Sequence, residues 1–110
     1  MLTYSQLSQL RASTTTPELL YSSSEARDTI QVFVKICNTI AADVAVRVFH
    51  SPSGATYDET TAIVWDMILT PGDILELDHI FVTSTAERIA YRTDTANALN
   101  ATVYGVTRYV

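Results

Sequence analysis

Residues 29–50 read TIQVFVKICNTIAADVAVRVFH, and this stretch decides the class of fold. Aliphatic side chains occupy every second position in both halves: Ile30, Val32, Val34 and Ile36, then Val44, Val46 and Val48. Side chains that alternate with a period of two lie on opposite faces of a β-strand. The stretch therefore predicts two strands, residues 29–38 and 44–50, each with one core face. The link between them is short enough for an antiparallel hairpin.

The centre of the chain predicts two more strands, residues 62–70 (AIVWDMILT) and 74–80 (ILELDHI), on either side of a Pro-Gly-Asp turn. Ile63 and Trp65 are expected in the core, together with Ile68 or Met67. The alternation slips near Asp66, which predicts a β-bulge there.

Shorter apolar runs complete the pattern. Residues 19–22 (LLYS) predict a short strand, Ile89 and Tyr91 share one face of another, and residues 100–110 alternate again. About seven short strands separated by turns are typical of an all-β protein. We predict an antiparallel β-sandwich of the jelly-roll or immunoglobulin-like type.

The first sixteen residues differ from the rest. Tyr4, Leu7 and Leu10 recur at a spacing of three, which predicts a short amphipathic helix that ends before Pro17. Residues 1–16 then form either a cap over one open end of the sandwich or an arm that docks on a neighbouring subunit, and residues 17–110 form a single β-sandwich domain.

Composition narrows the range of functions. The chain has 110 residues, of which 47% are hydrophobic and 17% charged, as expected for one globular domain. Its net charge of -5 argues against binding to nucleic acid. Cys37 is the only cysteine, so no intrachain disulfide can form. The N-terminus has neither the basic flank nor the apolar segment of a signal peptide or membrane anchor, so we expect no membrane partner.

Residues that could support catalysis lack partners in the sequence. A metal site would have to combine His50 and His79 with Glu76, Asp78 or Asp66, and the serines of the SPSG loop lack the strand-turn-helix setting of an activated nucleophile. We expect no enzyme activity, no cofactor and no metal. Trp65 has two interpretations, a core residue or a sugar-binding platform.

Bulky side chains fall on faces that alternation assigns away from the core. Contiguous exposed aromatic residues mark contact surfaces, whereas burial of the same rings would make them structural. We predict an interaction surface formed by Tyr4, Leu7, Leu10, Phe33, Arg47, Phe49, Tyr104 and Tyr109.

Three segments resemble a family of small structural proteins of tailed bacteriophages. They are LLYSSSEARDTIQVFVKICNTIAADVAVRVFHSPSG at residues 19–54, MILTPGDILELDHIFV at residues 67–82 and NATVYGV at residues 100–106. The first resembles the family's strand-turn-strand opening, the second its central Gly-Asp turn, and the third its closing strand.

The resemblance implies a virion component that is assembled in the host cytoplasm. Its expected role is capsid decoration (a cement protein) through contacts with the major capsid protein or other virion proteins. A homo-oligomer is expected, with a trimer as the natural guess at capsid three-fold positions. The alternative is a receptor-binding, carbohydrate-binding or structural module of the phage neck, baseplate or tail fibre.

Overall fold

A computed structural model of the chain describes residues 2–22, 27–80, 82 and 86–109, without the side chains of residues 27–30, 79 and 109. These residues contain eight strands. They are β1 (Leu2–Arg11), β2 (Glu18–Ser22), β3 (Arg27–Asn38), β4 (Val44–Ser51), β5 (Ala62–Leu69), β6 (Ile74–Ile80), β7 (Arg88–Thr93) and β8 (Leu99–Tyr109).

The strands form two four-stranded antiparallel sheets. The first sheet has the order β1-β8-β3-β6 and the second sheet the order β2-β7-β4-β5. Only β4 and β5 are consecutive strands of the same sheet, and each of the other connections crosses from one sheet to the other. This is the jelly-roll form of a β-sandwich. The predicted antiparallel β-sandwich is confirmed, with eight described strands in place of about seven.

The additional strand is β1, so the predicted N-terminal helix is wrong. Residues Leu2–Arg11 are extended and pair with β8 at the edge of the first sheet. A register shift between Gln6 and Ser8 interrupts the alternation, and the bulge allows apolar residues to recur at a helix-like spacing of three. The function of residues 1–16 as a cap or as a docking arm, and the domain division at residue 16, stay predictions.

The predicted hairpin between the strands of residues 29–38 and 44–50 is also wrong. The two strands exist, but β3 belongs to the first sheet and β4 to the second. Asn38, at the end of β3, explains the crossing. Its buried side-chain amide donates to the carbonyl oxygens of Ala42 and Leu69, both at 2.8 Å, and its Oδ1 accepts from the amide of Ile40. These bonds turn the chain away from the first sheet.

The turn between β5 and β6 lies beside Asn38. The amide of Asp73 donates to the carbonyl oxygen of Thr70 at 2.9 Å, with Pro71 and then Gly72 (φ 82°) at the central positions. This is the residue order of a type II turn, which needs glycine at the second central position. The amide of Gly72 donates to the carbonyl oxygen of Asn38, so the two connections support each other.

The core lies between the sheets and has the predicted membership along three strands. The inward residues of β3, β4 and β7 are fully buried: Val32, Val34, Ile36, Val44, Val46, Val48, Ile89 and Tyr91. The side chain of Ile30 lies outside the described residues. Gly105 of β8 is buried. A Cβ atom added at this position would lie 2.6 Å from the carbonyl oxygen of Gln31 and 2.7 Å from Leu7 Cδ1, which is too close. Glycine is therefore the residue that lets β1 and β3 pack closely around β8.

The described residues include no helix long and apolar enough to cross a membrane.

Candidate interaction surfaces

The outer face of the first sheet carries three aromatic side chains. Phe33 of β3 lies directly opposite Tyr104 of β8, and Tyr4 of β1 lies opposite Val106, the next outward residue of β8. Tyr104 is 42% exposed and Tyr4 71% exposed, while Phe33 is half-buried. We call Tyr4, Phe33 and Tyr104 the aromatic face. Alternation along β3 and β8 places Phe33 and Tyr104 on this outward face, and the pairing of β1 with β8 adds Tyr4.

Other members of the predicted surface are placed elsewhere. Leu7 and Leu10 are partly buried and pack against the core of their own sandwich. Phe49 points away from that core but is only 1% exposed, so its prediction as a contact residue for a partner is wrong. The rings of Tyr57 and Trp65 cover it, with centroids at 6.2 Å and 6.5 Å and edge-to-face geometry. The side chain of Tyr109 lies outside the described residues.

Arg47, the remaining predicted residue, belongs to a small cluster on the second sheet. Its Nε and Nη2 donate to the two carboxylate oxygens of Asp66 at 2.6 Å and 3.0 Å. Its guanidinium carbon lies 3.6 Å from the ring centroid of Trp65, which is cation–π geometry. The bond from Arg47 holds the pKa of Asp66 below its ordinary value and raises that of Arg47. The ion pair with Asp66 therefore holds the Arg47 guanidinium over one face of the Trp65 ring.

The predicted bulge at Asp66 is confirmed and explains this cluster. Met67 lies opposite Val46 and Val64 lies opposite Val48, so two residues of β5 face the single residue Arg47. Asp66 has a positive φ of 52°, a conformation that aspartate adopts more readily than most residues. The extra residue brings the Asp66 carboxylate and the Trp65 ring to the same guanidinium.

The structure also overturns the predicted core of β5. Val64 packs against the core and Leu69 is buried, five residues apart, because the extra residue changes the alternation between them. Trp65 is 46% exposed. The exposed apolar residues of β5 and of the start of β6 are Ile63, Trp65, Met67, Ile68 and Ile74. Sequence reasoning missed this strip because it placed Ile63 and Trp65 on the core face, whereas Val64 between them is the residue that faces the core.

The candidate acid–base residues do not converge. His50 Nε2 and Glu87 Oε1 are 2.9 Å apart at one end of β4, whereas Glu76 and Asp78 lie on the outward face of β6 in the other sheet. The side chain of His79 lies outside the described residues. Among the residues described, no three of His, Cys, Asp and Glu are grouped to hold a metal ion. The exposed apolar side chains of the two sheets are therefore the candidate functional features of the described residues.

The described residues form a jelly-roll sandwich of eight strands, with apolar side chains exposed on the outer face of the first sheet and along β5 and the start of β6. Structural comparison finds the same fold in a chain of the Bacillus endospore appendages, which form a novel family of disulfide-linked pili. The TM-score is 0.58 at 12% sequence identity, over 99% of this chain and 88% of that one.

The coat protein dimer of Tobacco streak virus contains a second similar chain. The TM-score is 0.53 at 7% identity, over 99% of this chain and 85% of that one. No protein-family model matches the sequence, and a search of curated proteins found no match. At these identities the likeness shows the fold.

Proposed function

We propose that this chain is a structural subunit that works by protein–protein contact in an assembled particle, with no reaction of its own. The aromatic face is the observation that carries the proposal. Tyr104 and Tyr4 are exposed on a sandwich whose core is already filled by other residues, so the stability of the monomer does not explain them. Burying such rings against a partner supplies much of the energy of a protein interface.

The particular particle we propose is the virion of a tailed bacteriophage, with the chain as a capsid decoration protein. The resemblance of residues 19–54, 67–82 and 100–106 to that family supports it. The occurrence of the same fold in a viral coat protein and in pilus chains is in keeping with a structural role. The proposed partners are the major capsid protein and further copies of this chain, as a trimer, after assembly in the host cytoplasm. Nucleic acid and membrane are not among the proposed partners.

A decoration protein acts by burying surface across the junctions between capsid subunits. Each contact adds to the free energy needed to separate those subunits, so many copies strengthen the shell against internal pressure. Such a protein needs an exposed apolar face and a rigid scaffold. The aromatic face lies across three adjacent strands of one hydrogen-bonded sheet, which holds its members in a fixed arrangement.

We expect Tyr104→Ser to weaken binding to purified particles by about tenfold or more, since it removes a central ring of the contact. Leu19→Ser is the matched control, because Leu19 is similarly exposed but lies on the second sheet. Co-sedimentation of each variant with particles stripped of the protein measures the effect, and thermal unfolding checks that both variants fold. Equal binding by the two variants would exclude the aromatic face as the contact.

Quantitative mass spectrometry of intact particles then tests the location. Hundreds of copies per particle indicate the capsid exterior, whereas a few copies indicate the neck or the tail. Absence of the chain from purified particles would contradict the proposal as a whole.

A receptor-binding or carbohydrate-binding module of the phage neck, baseplate or tail fibre is the second candidate. The exposure of Trp65 favours it, because sugars stack on tryptophan rings. Arg47 covers one face of that ring, however, and Tyr57 is half-buried with its hydroxyl donating to the carbonyl oxygen of Gly54. This candidate requires Trp65→Ala to abolish glycan binding while leaving the fold intact.

A further inference from the structure

The four edge strands of the described sheets differ in how they are protected against pairing with another chain. An edge strand offers unpaired backbone groups, and proteins usually protect it by shortness, by charged side chains or by bulges. β2 has five residues, β6 carries two acidic residues, and β1 has serine and glutamine between its apolar residues. These three strands have the sequences expected at an edge.

β5 has a different composition. Seven of its eight residues, Ala62–Leu69, are apolar, and Asp66 is the exception. A nearly continuous apolar run is typical of a strand that is buried on both faces. In the described sheets, however, β5 has β4 as its one neighbour. The strand therefore has the sequence of a buried strand at the position of an edge strand.

Apolar side chains are exposed on both faces of β5. Ile63, Trp65 and Ile68 point away from the core, whereas Met67 lies opposite the core residue Val46 and is still exposed. We call these four exposed residues the β5 strip. At about 200 Å² for a fully exposed large side chain, their exposed fractions of 43–55% leave roughly 400 Å² of apolar surface.

The β5 strip is large enough for a stable contact. An interface that is about 60% apolar and includes the strip covers roughly 700 Å² per partner. Stable interfaces between proteins cover about 600–1,000 Å² per partner. An exposed apolar edge of this size is a site where another strand can add to the sheet.

The charges at the middle of β5 balance one another. The Asp66 carboxylate accepts both bonds from Arg47, and its Oδ1 lies 3.9 Å from Arg92 Nη1. Asp66, through its hydrogen bond, and Glu59, through its charge, both raise the pKa of Arg47. Two arginines and two acidic residues thus form a cluster without net charge. A second strand can therefore approach the middle of β5 without electrostatic repulsion.

We propose that β5 of one copy pairs with β5 of a second copy, antiparallel and across a two-fold axis. The pairing joins two four-stranded sheets into one sheet of eight strands. This inference rests on the proposed structural role and gives that role a contact between copies of the chain.

The register about the centre of β5 matches apolar residues on both faces. With the two-fold axis at the centre of the strand, beside Asp66, Ile63 lies opposite Ile68 of the second copy, and both point away from the core. Val64 and Met67 form the second pair, on the core-facing side. The bulge at Asp66 falls on the axis, so the segments on either side of it can pair. A second copy supplies this match by symmetry, which is why we choose it as the partner.

A two-fold contact is distinct from the three-fold contact of a trimer. It joins one chain of a trimer to one chain of a neighbouring trimer. The contact also leaves the aromatic face free, because that face belongs to the first sheet and β5 to the second. The β5 strip therefore links copies to each other, while the aromatic face is available to the capsid.

Ile68→Lys tests the contact, because a lysine on an edge strand opposes such pairing. We expect the assembly that the unaltered chain forms in sedimentation velocity to lose about half its mass: a dimer becomes a monomer, or a pair of trimers becomes a trimer. Leu19→Lys is the matched control, since Leu19 is 52% exposed against 55% for Ile68 but lies in β2, at the opposite edge of the same sheet. This control should keep the mass of the unaltered chain.

Thermal unfolding of both variants checks that they fold. If Ile68→Lys does not fold, Ile63→Lys replaces it, at a position that is also exposed.

Cysteine crosslinking tests the register. Cys37→Ser removes the only native cysteine. In that background, Ile63→Cys mixed with Ile68→Cys should form a disulfide-linked pair under mild oxidation, because the two positions face each other across the axis. Either variant alone places its two cysteines about 17 Å apart, five positions along a strand, and should stay uncrosslinked. Leu19→Cys mixed with Ile68→Cys is the control and should also stay uncrosslinked.

Salt distinguishes this contact from one held by opposite charges. Asp58 precedes β5 and Asp73 follows it, so antiparallel pairing brings Asp58 of one copy towards Asp73 of the other. Hydrogen bonds from Thr60 and Thr70 lower the pKa of these two carboxyls and keep them ionised. Salt screens their repulsion. The yield of the mixed crosslink should therefore rise as salt is raised.

Four results would overturn the contact: an unaltered chain that is monomeric at high concentration, an Ile68→Lys assembly of unchanged mass, equal crosslinking in the mixed pair and in the control, or a crosslink that weakens with salt. A chain without this contact that is still present in hundreds of copies per particle would overturn the inference and leave the proposed function standing. Absence from particles with an intact two-fold contact would do the reverse.

Discussion

Asn38→Ala is expected to lower the free energy of unfolding by about 3 kcal/mol. The side-chain amide of Asn38 is buried and donates to the carbonyl oxygens of Ala42 and Leu69, while its Oδ1 accepts from the Ile40 amide. Alanine removes all three bonds. The substitution leaves the backbone groups of Ala42, Leu69 and Ile40 without their side-chain partner, where the β3–β4 and β5–β6 connections meet. Buried polar groups that lose their partners are one of the causes of large losses in stability from single substitutions.

Asn100→Ala is the matched control. Asn100 lies on the outward face of β8, where its side chain accepts from Arg11 Nη1 in an exposed bond. We expect a loss below about 1 kcal/mol, as for other solvent-exposed polar contacts. Urea unfolding followed by fluorescence measures both variants. Similar losses for the two would show that the Asn38 bonds do not hold the β3–β4 and β5–β6 connections.

Tyr91→Phe is expected to cost about 2 kcal/mol, because it removes one buried hydroxyl with two strong bonds. Tyr91 belongs to β7 of the second sheet and is fully buried. Its hydroxyl accepts from the Ala12 amide at 2.8 Å and donates to the Leu10 carbonyl oxygen at 2.8 Å. It therefore ties the end of β1 in the first sheet to the opposite sheet. Tyr57→Phe, which loses one partly buried bond, should cost less.

The same hydroxyl gives the protein a pH dependence in alkali. Burial raises the pKa of Tyr91 from 10.0 to about 12, partly offset by the bond from the Ala12 amide. The unfolded chain ionises first, so the contribution of this group to stability is complete below pH 10 and is lost as the pH rises through 12. We expect urea unfolding between pH 9 and 12 to show a steeper decline for the unaltered chain than for Tyr91→Phe. Parallel declines would contradict the assignment.

Local pattern predicted seven of the eight described strands and the faces of most of these. In β3 and β4 a valine or isoleucine at every second position identified the core face, because the period of a strand depends on the backbone alone. Even the bulge at Asp66 could be read from a break in that period. The N-terminal strand was missed because its own bulge produces a spacing of three, which sequence reasoning assigns to a helix.

The candidate surfaces were predicted less well, for one physical reason. Alternation tells which side chains point away from the core, but whether such a side chain meets solvent depends on what another segment places over it. Tyr104 keeps an outward and exposed position, and Phe33 beside it is half-buried. Phe49 points outward in the same way, yet the rings of Tyr57 and Trp65 cover it.

The sequence by itself determined that this chain is a β-sandwich with a valine-rich core and an acidic surface. Tertiary structure alone decided which sheet each strand joins, since a short connection can form a hairpin or cross between sheets with the same residues. It also decided that β5 and β6 lie at the sheet edges opposite β1 and β2. That arrangement depends on pairing between strands far apart in the chain, such as β1 with β8, and no local pattern encodes it.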